Sequence, residues 1–221
     1  KPTMEKLSPM AGFKRLFGSA DAWKADLMGT AKMPGVGWAI TYLDTASGQI
    51  WNHWISAHEE GHPAGAVPLL AMDMYEHAYH LDFGAAAGAY VDAFMAHINW
   101  AAVYARYQHA VHAASEPFGA SLDEIGDALV FDVRRAGVFA QARTMIPGAR
   151  WCDPAAVASW SAELPVDRDV VVYCVYGHEV SRATAMRLRA AGVKARYLRG
   201  GIDSWQSAQR PLVDKPAGQT P

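Results

Sequence analysis

The residue of this sequence best suited to covalent chemistry is Cys174, which directly follows the buried strand pattern Val170-Val-Val-Tyr173 and precedes a helical pattern. A thiol at a strand-to-helix junction faces backbone N–H groups and the positive end of a helix dipole, and both favour the thiolate. The same N–H groups can bind an anion. The alternative is a buried structural cysteine at a strand end. The predicted anion-binding loop consists of Val175, Tyr176, Gly177, His178, Glu179, Val180 and Ser181.

A second pair of residues has a spacing that suits metal ligands. Asp73 ends a strand-like run, and His77 lies four residues later, where a helical pattern has begun. Both side chains can therefore point to one cation. An aspartate at this position is also a common helix N-cap, so the pair alone leaves both interpretations open.

The two candidate sites lie in segments with different patterns. Residues 38–43, 50–55 and 67–73 predict three strands, with helices over 8–27, 74–83 and 86–99, which indicates an α+β domain with a three-stranded antiparallel sheet. From Leu129 onward, buried β-branched runs alternate with helical segments, which is typical of an α/β domain with a parallel sheet. We expect two domains, 8–112 and 122–214, joined by a linker at 113–121.

The composition excludes several classes of function. Of the 221 residues, 51% are apolar and 19% are charged, as in globular proteins. The 20 basic and 22 acidic side chains nearly cancel, which argues against a nucleic-acid partner. The apolar runs are shorter than the roughly 20 residues of a membrane span, so we expect no membrane partner. Two cysteines are too few for a disulfide scaffold, which favours a reducing, cytoplasmic location.

The segment around the candidate ligands, Val67-Pro-Leu-Leu-Ala-Met-Asp-Met-Tyr-Glu-His-Ala-Tyr79, resembles the metal-binding motif of iron/manganese superoxide dismutases. Gly35-Val-Gly-Trp38, Ile98-Asn-Trp100 and Tyr107 match the same family in order and spacing. The resemblance implies one Fe or Mn per chain, with Asp73 and His77 as two of four protein ligands. It also implies that Glu76 reaches across a homodimer to the partner's metal-ligating histidine. His58 has the position at which some members of the family hold the metal-bound solvent, and the alternative is a histidine at a strand end with no part in the site.

The sequence departs from this family in ways that bear on the metal. Tyr75 replaces a tryptophan, and His80 replaces a tyrosine. The family takes its other two ligands, both histidines, from an N-terminal helical hairpin for which this sequence has no counterpart. Two ligands rarely hold iron or manganese tightly. Either the sequence is a truncated piece of a longer protein, or the domain is a scaffold with half a site and no metal.

The second half resembles rhodanese domains. Phe131-Asp-Val-Arg134, Ile146-Pro-Gly-Ala149, the Cys174 loop and Tyr197-Leu-Arg-Gly-Gly-Ile-Asp-Ser-Trp205 occur in the order of the motifs of that family. The resemblance implies that Cys174 accepts a sulfane sulfur as a persulfide and passes it to a thiophilic acceptor. The loop is one residue longer than the usual C-x-x-G-x-R-S pattern, because Ser181 lies seven positions after Cys174, and Arg182 follows the serine instead of preceding it. Glu179 within it opposes a doubly charged donor.

Three hypotheses follow. In the first, a superoxide dismutase-like metal domain and a sulfur-transferring rhodanese domain act together in oxidative or oxyanion stress, on superoxide and on a sulfane-sulfur donor. In the second, the protein is a sulfurtransferase whose first domain is a metal-free dimerisation scaffold. In the third, both sites are degenerate, and Cys174 is the redox-sensitive thiol of a non-enzymatic sensor.

Overall fold

The computed structural model of the chain describes residues 19–216, which form two compact units. The first contains the described residues up to Thr45 together with Gln49–Ala110, and the second contains Ala46–Gly48 and the described residues from Val111 onward. Most of the helix predicted over 8–27 lies outside the described residues. Within residues 19–216, no helix is both long enough and apolar enough to cross a membrane.

The first unit contains an antiparallel sheet with the strand order β2-β1-β3. Its strands are β1 (Trp38–Asp44), β2 (Ile50–Ile55) and β3 (Ala66–Asp73). The central strand β1 pairs with both neighbours, and its five middle residues are buried, as expected for an apolar strand between two partners. The predicted α+β architecture is confirmed.

Helices precede and follow this sheet. They are α1 (Ala20–Thr30), α2 (His80–Phe83), α3 (Ala87–Ala96) and α4 (Trp100–Ser115). The Ser19 side chain caps α1 by accepting a hydrogen bond from the N–H of Ala22, and the helix buries Trp23 and Leu27. The helix predicted over 74–83 is instead a 3₁₀ turn, Glu76–Ala78, followed by α2, which ends at Gly84 with φ +56°.

The second unit contains a five-stranded sheet with the order β4-β9-β8-β5-β7, in which every pair is parallel. Its central strand β8 (Asp169–Tyr173) is buried from Val170 onward, which explains the continuous β-branched run and confirms the α/β prediction. The other strands are β4 (Gly119–Ala120), β5 (Leu129–Asp132), β7 (Arg150–Trp151) and β9 (Lys194–Leu198), and a separate antiparallel pair consists of β6 (Thr144–Met145) and β10 (Val213–Asp214). The helices are α5 (Ala136–Gln141), α6 (Val157–Ser161), α7 (Glu179–Ala190) and α8 (Gly201–Ser207).

The segment 113–121, which we predicted to be a linker, is ordered helix and strand instead. It contains the last turn of α4, a 3₁₀ turn at Glu116–Phe118, and the strand β4, which pairs with β9. Its alanines, serine and glycine indicated flexibility, but β4 is stabilised by a partner strand more than seventy residues away along the chain. Local composition contains no sign of such a long-range pairing.

A buried polar cluster fixes the edge of the parallel sheet where β5 and β8 end. The Asp132 carboxylate accepts hydrogen bonds from the Arg134 guanidinium and from the Tyr173 hydroxyl, which is 2.8 Å away. The same hydroxyl accepts a hydrogen bond from the N–H of Ile146. Burial and the neighbouring Asp132 carboxylate raise the pKa of Tyr173, so it remains a neutral donor. This cluster holds the backbone directly before Cys174.

Candidate functional site

Cys174 lies at the carboxyl edge of the parallel sheet, one residue after β8 ends. Its Sγ atom is 3.2 Å from the hydroxyl oxygen of Ser181, which is in the first turn of α7. The cysteine is only 6% exposed. Among the described residues, the side chain of the N-cap residue His178 makes no capping hydrogen bond, so the N–H groups at the start of α7 can serve an anion. A nucleophilic sulfur and anion-binding groups are therefore next to each other.

The backbone of the loop is held tightly against the start of α8. The N–H of Ile202 donates to the carbonyl oxygen of Cys174, and the N–H of Asp203 donates to that of Val175, both at 3.0 Å. Gly201 has φ +59°, and a Cβ atom there would lie 2.4 Å from each of these carbonyl oxygens. Only glycine allows this close approach. The loop is therefore preorganised before any ligand binds.

The predicted loop residues have different surroundings. Val180 packs in a hydrophobic core of the rhodanese-like unit, whereas Tyr176 and His178 are exposed, with their rings 5.7 Å apart. Ser181 is the loop residue whose side chain contacts Cys174. Glu179 is buried, and its Oε1 lies 3.7 Å from Nη2 of Arg135. The loop thus contributes a hydroxyl beside the sulfur and a buried negative charge at the start of α7.

Arg182 stabilises the loop, and its guanidinium is paired with Glu116 instead of being available to a ligand anion. Its Nε donates to the carbonyl oxygen of Gly177 at 3.0 Å, and its Nη1 donates to Oε2 of Glu116 at 3.0 Å. The guanidinium also lies over the ring of Tyr197, 4.2 Å from its centroid. Hydrogen bonds from Arg199, and next from Arg182, lower the pKa of Glu116 to about 2. Arg182, held by Glu116, therefore stabilises the backbone of the loop at Gly177.

The candidate metal ligands of the first unit are close to each other but exposed. Oδ2 of Asp73 lies 3.2 Å from Nε2 of His77, so the two atoms that could bind a metal are next to each other. The side chain of His77 is 68% exposed, and that of Asp73 is 22% exposed. Within residues 19–216, no group of three or more His, Cys, Asp and Glu side chains could hold a metal. Two donors do not fill the shell that iron or manganese requires, so these residues alone do not fit that metal.

His58 and Glu76 differ in their relation to this pair. The ring of His58 stacks on Tyr75 at 4.5 Å, and Tyr75 stacks on His77 at 5.7 Å, so His58 belongs to the same aromatic stack. The indole N–H of Trp38 donates to Nδ1 of His58 at 3.0 Å. Because an indole nitrogen can only donate, a neutral His58 has its proton on Nε2. Glu76 is exposed at the start of the 3₁₀ turn.

Comparison with protein families identifies both units. Residues 8–106 match the C-terminal domain of iron/manganese superoxide dismutases, and residues 119–208 match the rhodanese-like domain. The chain joins a superoxide dismutase C-terminal domain to a rhodanese-like domain. Both predicted resemblances are therefore confirmed.

Individual relatives match the superoxide dismutase domain. A superoxide dismutase [Fe] of Cupriavidus metallidurans is 45% identical over 100 residues, which are 44% of this chain and 50% of that protein. A superoxide dismutase [Mn] 2 of Haloferax volcanii is 40% identical over 95 residues, 43% of this chain and 47% of that protein. The chain spans about half the length of these curated relatives. A rhodanese-related protein of known structure from Thermoplasma volcanium is 21% identical, covering 43% of this chain and 96% of its own, with a TM-score of 0.39.

Sequence reasoning missed two residues of the rhodanese-like domain. Arg135 follows the predicted strand end at Arg134, and residues just after the carboxyl ends of parallel strands commonly line a site, so this position could have been found. Glu116 gave no such signal, because it lies in the segment predicted to be a linker and acts on Arg199, 83 residues away. Its role depends on the folded chain.

Proposed function

We propose that the rhodanese-like domain is a sulfurtransferase that carries sulfane sulfur on Cys174 as a persulfide. The observation that carries this proposal is the position of Sγ at the carboxyl edge of the sheet, 3.2 Å from the Ser181 hydroxyl and at the start of α7. The thiolate attacks the outer sulfur of the donor, the donor's S–S bond breaks, and the remaining anion leaves with the electron pair. An acceptor then attacks the outer sulfur of the persulfide, which restores the thiolate.

The surroundings of Cys174 suit both forms of the sulfur. The Ser181 hydroxyl can donate to a thiolate, and the helix dipole of α7 favours negative charge at its N-terminus. The reaction then needs no general base. Because Cys174 is buried in a braced loop, the persulfide formed there is shielded from water and from bulky thiols.

The test is thiocyanate formation from a sulfane donor and cyanide, together with the mass of the intact chain after treatment with the donor alone. We expect one added sulfur atom per chain and loss of both signals in Cys174→Ser. Cys152→Ser is the matched control, since Cys152 is also 6% exposed and burial raises its pKa. Full thiocyanate formation by Cys174→Ser would contradict the proposal, and the absence of transfer by the unaltered chain would favour the alternative of a redox-sensing module.

For the superoxide dismutase-like domain, we propose a second function that the proximity of Asp73 and His77 favours. The two residues contribute two ligands to one Fe or Mn, and the remaining ligands come from outside the described residues. The relatives with this domain are superoxide dismutases named for Fe or for Mn, which supports these metals and superoxide as the substrate. The alternative is a metal-free dimerisation scaffold. In either case we propose that the protein is a cytoplasmic homodimer in which Glu76 of each subunit contacts the other subunit. We also propose that it serves the response to oxidative or oxyanion stress.

Elemental analysis of the purified chain tests the metal. About one Fe or Mn per chain, lost in His77→Ala, supports the metal domain, and a trace amount favours the scaffold. Light scattering tests the dimer, since a monomer at micromolar concentration contradicts both the dimer and the role of Glu76.

A further inference from the structure

One guanidinium beside the catalytic loop has donors without partners. Arg135 lies three residues after the end of β5, at the sheet edge that also holds Cys174. Its Nε and Nη2 are buried and have no hydrogen-bond partner among the described residues, although the side chain as a whole is 42% exposed. The 3.7 Å between Nη2 and Glu179 is too long for a hydrogen bond. Buried donors of this kind normally have partners, and because the side chain is partly exposed, a rotation of the guanidinium would turn them to an anion beside the loop.

The two other arginines near the loop are already used. The guanidinium of Arg134 is bound to the Asp132 carboxylate and to the carbonyl oxygen of Thr144. Arg182 donates to Gly177 and to Glu116. Of these three arginines, Arg135 is therefore the one that can offer two parallel N–H donors to an anion, which is the geometry that oxyanions prefer.

Glu179 limits the charge that this position accepts. Its carboxylate is at the start of α7, its side chain is only 10% exposed, and it opposes the positive charge of Arg135 at 3.7 Å. The pair has no net charge. A neutral pair gives a doubly charged donor little net attraction to offset its larger cost of desolvation, so the position favours a donor with one negative charge.

We propose that Arg135, oriented by Glu179, binds the oxyanion group of the sulfur donor, and that the pair selects singly charged thiosulfonates over doubly charged thiosulfate. This inference rests on the proposed sulfur transfer. The Cys174 thiolate attacks the outer sulfur of R–SO₂–S⁻, the S–S bond breaks, and the sulfinate R–SO₂⁻ leaves with the electron pair, hydrogen-bonded to Arg135. Cyanide then removes the outer sulfur as thiocyanate and restores the thiolate. Glu179 is a positioning residue, since it acts through Arg135.

The experiment measures kcat and KM of the full chain with methanethiosulfonate and with thiosulfate, using cyanide as the acceptor. In the unaltered chain, kcat/KM is expected to be at least about tenfold higher for methanethiosulfonate. Arg135→Ala raises the KM for methanethiosulfonate about tenfold with little change in kcat, as expected from the loss of a charge-assisted contact, and Arg135→Lys restores part of it. Glu179→Gln raises kcat/KM for thiosulfate and so reduces the selectivity. Arg143→Ala, an exposed arginine of the same domain, is the matched control and leaves all four values unchanged.

The outcomes separate this inference from the proposed function. Sulfur transfer that depends on Cys174 but is unchanged in KM by Arg135→Ala overturns the role of Arg135 and leaves the sulfurtransferase in place. If Glu179→Gln leaves the ratio of kcat/KM for methanethiosulfonate and thiosulfate unchanged, the selection by charge is overturned. No transfer from either donor by the unaltered chain overturns the sulfurtransferase and this inference with it. Circular dichroism of each variant identifies loss of folding, and Arg135→Lys keeps the test decisive if Arg135→Ala unfolds.

Discussion

The two candidate sites differ in how much of each site one stretch of chain provides. In the rhodanese-like domain, a single loop supplies the sulfur, the Ser181 hydroxyl and the start of α7, and Gly201 holds that loop in place. In the superoxide dismutase-like domain, Asp73 and His77 form an exposed pair. A loop between a strand and a helix can thus be a nearly complete site, whereas a metal shell needs donors from several parts of a chain.

The largest effect expected separates the chemistry of the two domains. Cys174→Ser lowers thiocyanate formation by about 10³-fold or more, because the nucleophile itself is lost. We expect His77→Ala to leave that rate unchanged, since the proposed sulfur transfer uses neither Asp73 nor His77. Both rates come from one thiocyanate assay at equal protein concentration. If His77→Ala lowers both the metal content and the rate of thiocyanate formation, the two sites are coupled.

A second prediction concerns the preorganised loop. Gly201→Ala places a Cβ atom 2.4 Å from the carbonyl oxygens of Cys174 and Val175, so the loop or α8 must move. We expect the rhodanese-like domain to lose about 3 kcal/mol or more of its free energy of unfolding, and most of its activity. Gly126→Ala is the matched control, since Gly126 has a similar φ of +54° but no described heavy atom within 4 Å of the new Cβ.

For this control we expect a loss of about 1–2 kcal/mol from backbone strain alone, with the activity retained. Thermal unfolding monitored by circular dichroism measures both variants. Equal losses in the two glycine variants would mean that the close approach at Gly201 does not matter for the loop.

A third prediction addresses the exposed pair. Trp38→Phe removes the N–H that donates to Nδ1 of His58 and keeps most of the aromatic surface. We expect about 1 kcal/mol of destabilisation and the appearance of a second His58 tautomer, seen by ¹⁵N NMR of the imidazole. The activity of Cys174 should not change. A single Nε2-protonated form in both proteins would mean that Trp38 does not select the tautomer.

The smallest effect expected is a pH dependence of the free energy of unfolding that arises from Glu116. Hydrogen bonds from Arg199 and Arg182 lower the pKa of Glu116 from 4.5 to about 2. The folded domain therefore binds this proton more weakly than the unfolded chain does, so the stabilisation is complete above about pH 4.5 and disappears as the pH falls towards 2. Because Glu116 is largely exposed, salt weakens the effect.

Urea unfolding of the unaltered chain and of Glu116→Gln measures this dependence. We expect the unaltered rhodanese-like domain to be more stable at pH 7 and the difference to shrink at pH 3. A difference that is constant over this range would mean that the carboxylate charge does not contribute.

The strands were the most predictable part of the fold. The run Val170-Val-Val-Tyr173 predicted a buried strand, and β8 occupies Asp169–Tyr173, because a strand buried on both faces must be apolar throughout. The position of Cys174 followed from that strand. The segment 74–83 was harder, because the backbone of Tyr79, with φ −140°, separates two short helical pieces, and the local sequence pattern gives no sign of this break.

Side-chain partners across the fold were the least predictable part of the candidate site. The pairing of Arg135 with Glu179 joins the starts of two helices, and that of Glu116 with Arg199 joins residues 83 positions apart. Spacing rules describe neighbours within one helix or strand and do not extend to such pairs. The sequence therefore predicted Cys174 as the candidate nucleophile and named the charged residues Glu179 and Arg182, but not the residues with which they pair.

The segment 113–121 has a consequence for where this protein can be divided. A rhodanese-like fragment that begins at residue 122 lacks the edge strand β4 and the Glu116 carboxylate, so β9 loses a neighbour and Arg182 loses an ion-pair partner. A fragment that begins at Val111 keeps both. Changes in length within 113–121 are therefore expected to destabilise the rhodanese-like domain, because that stretch contains the strand β4 and the carboxylate that pairs with Arg182.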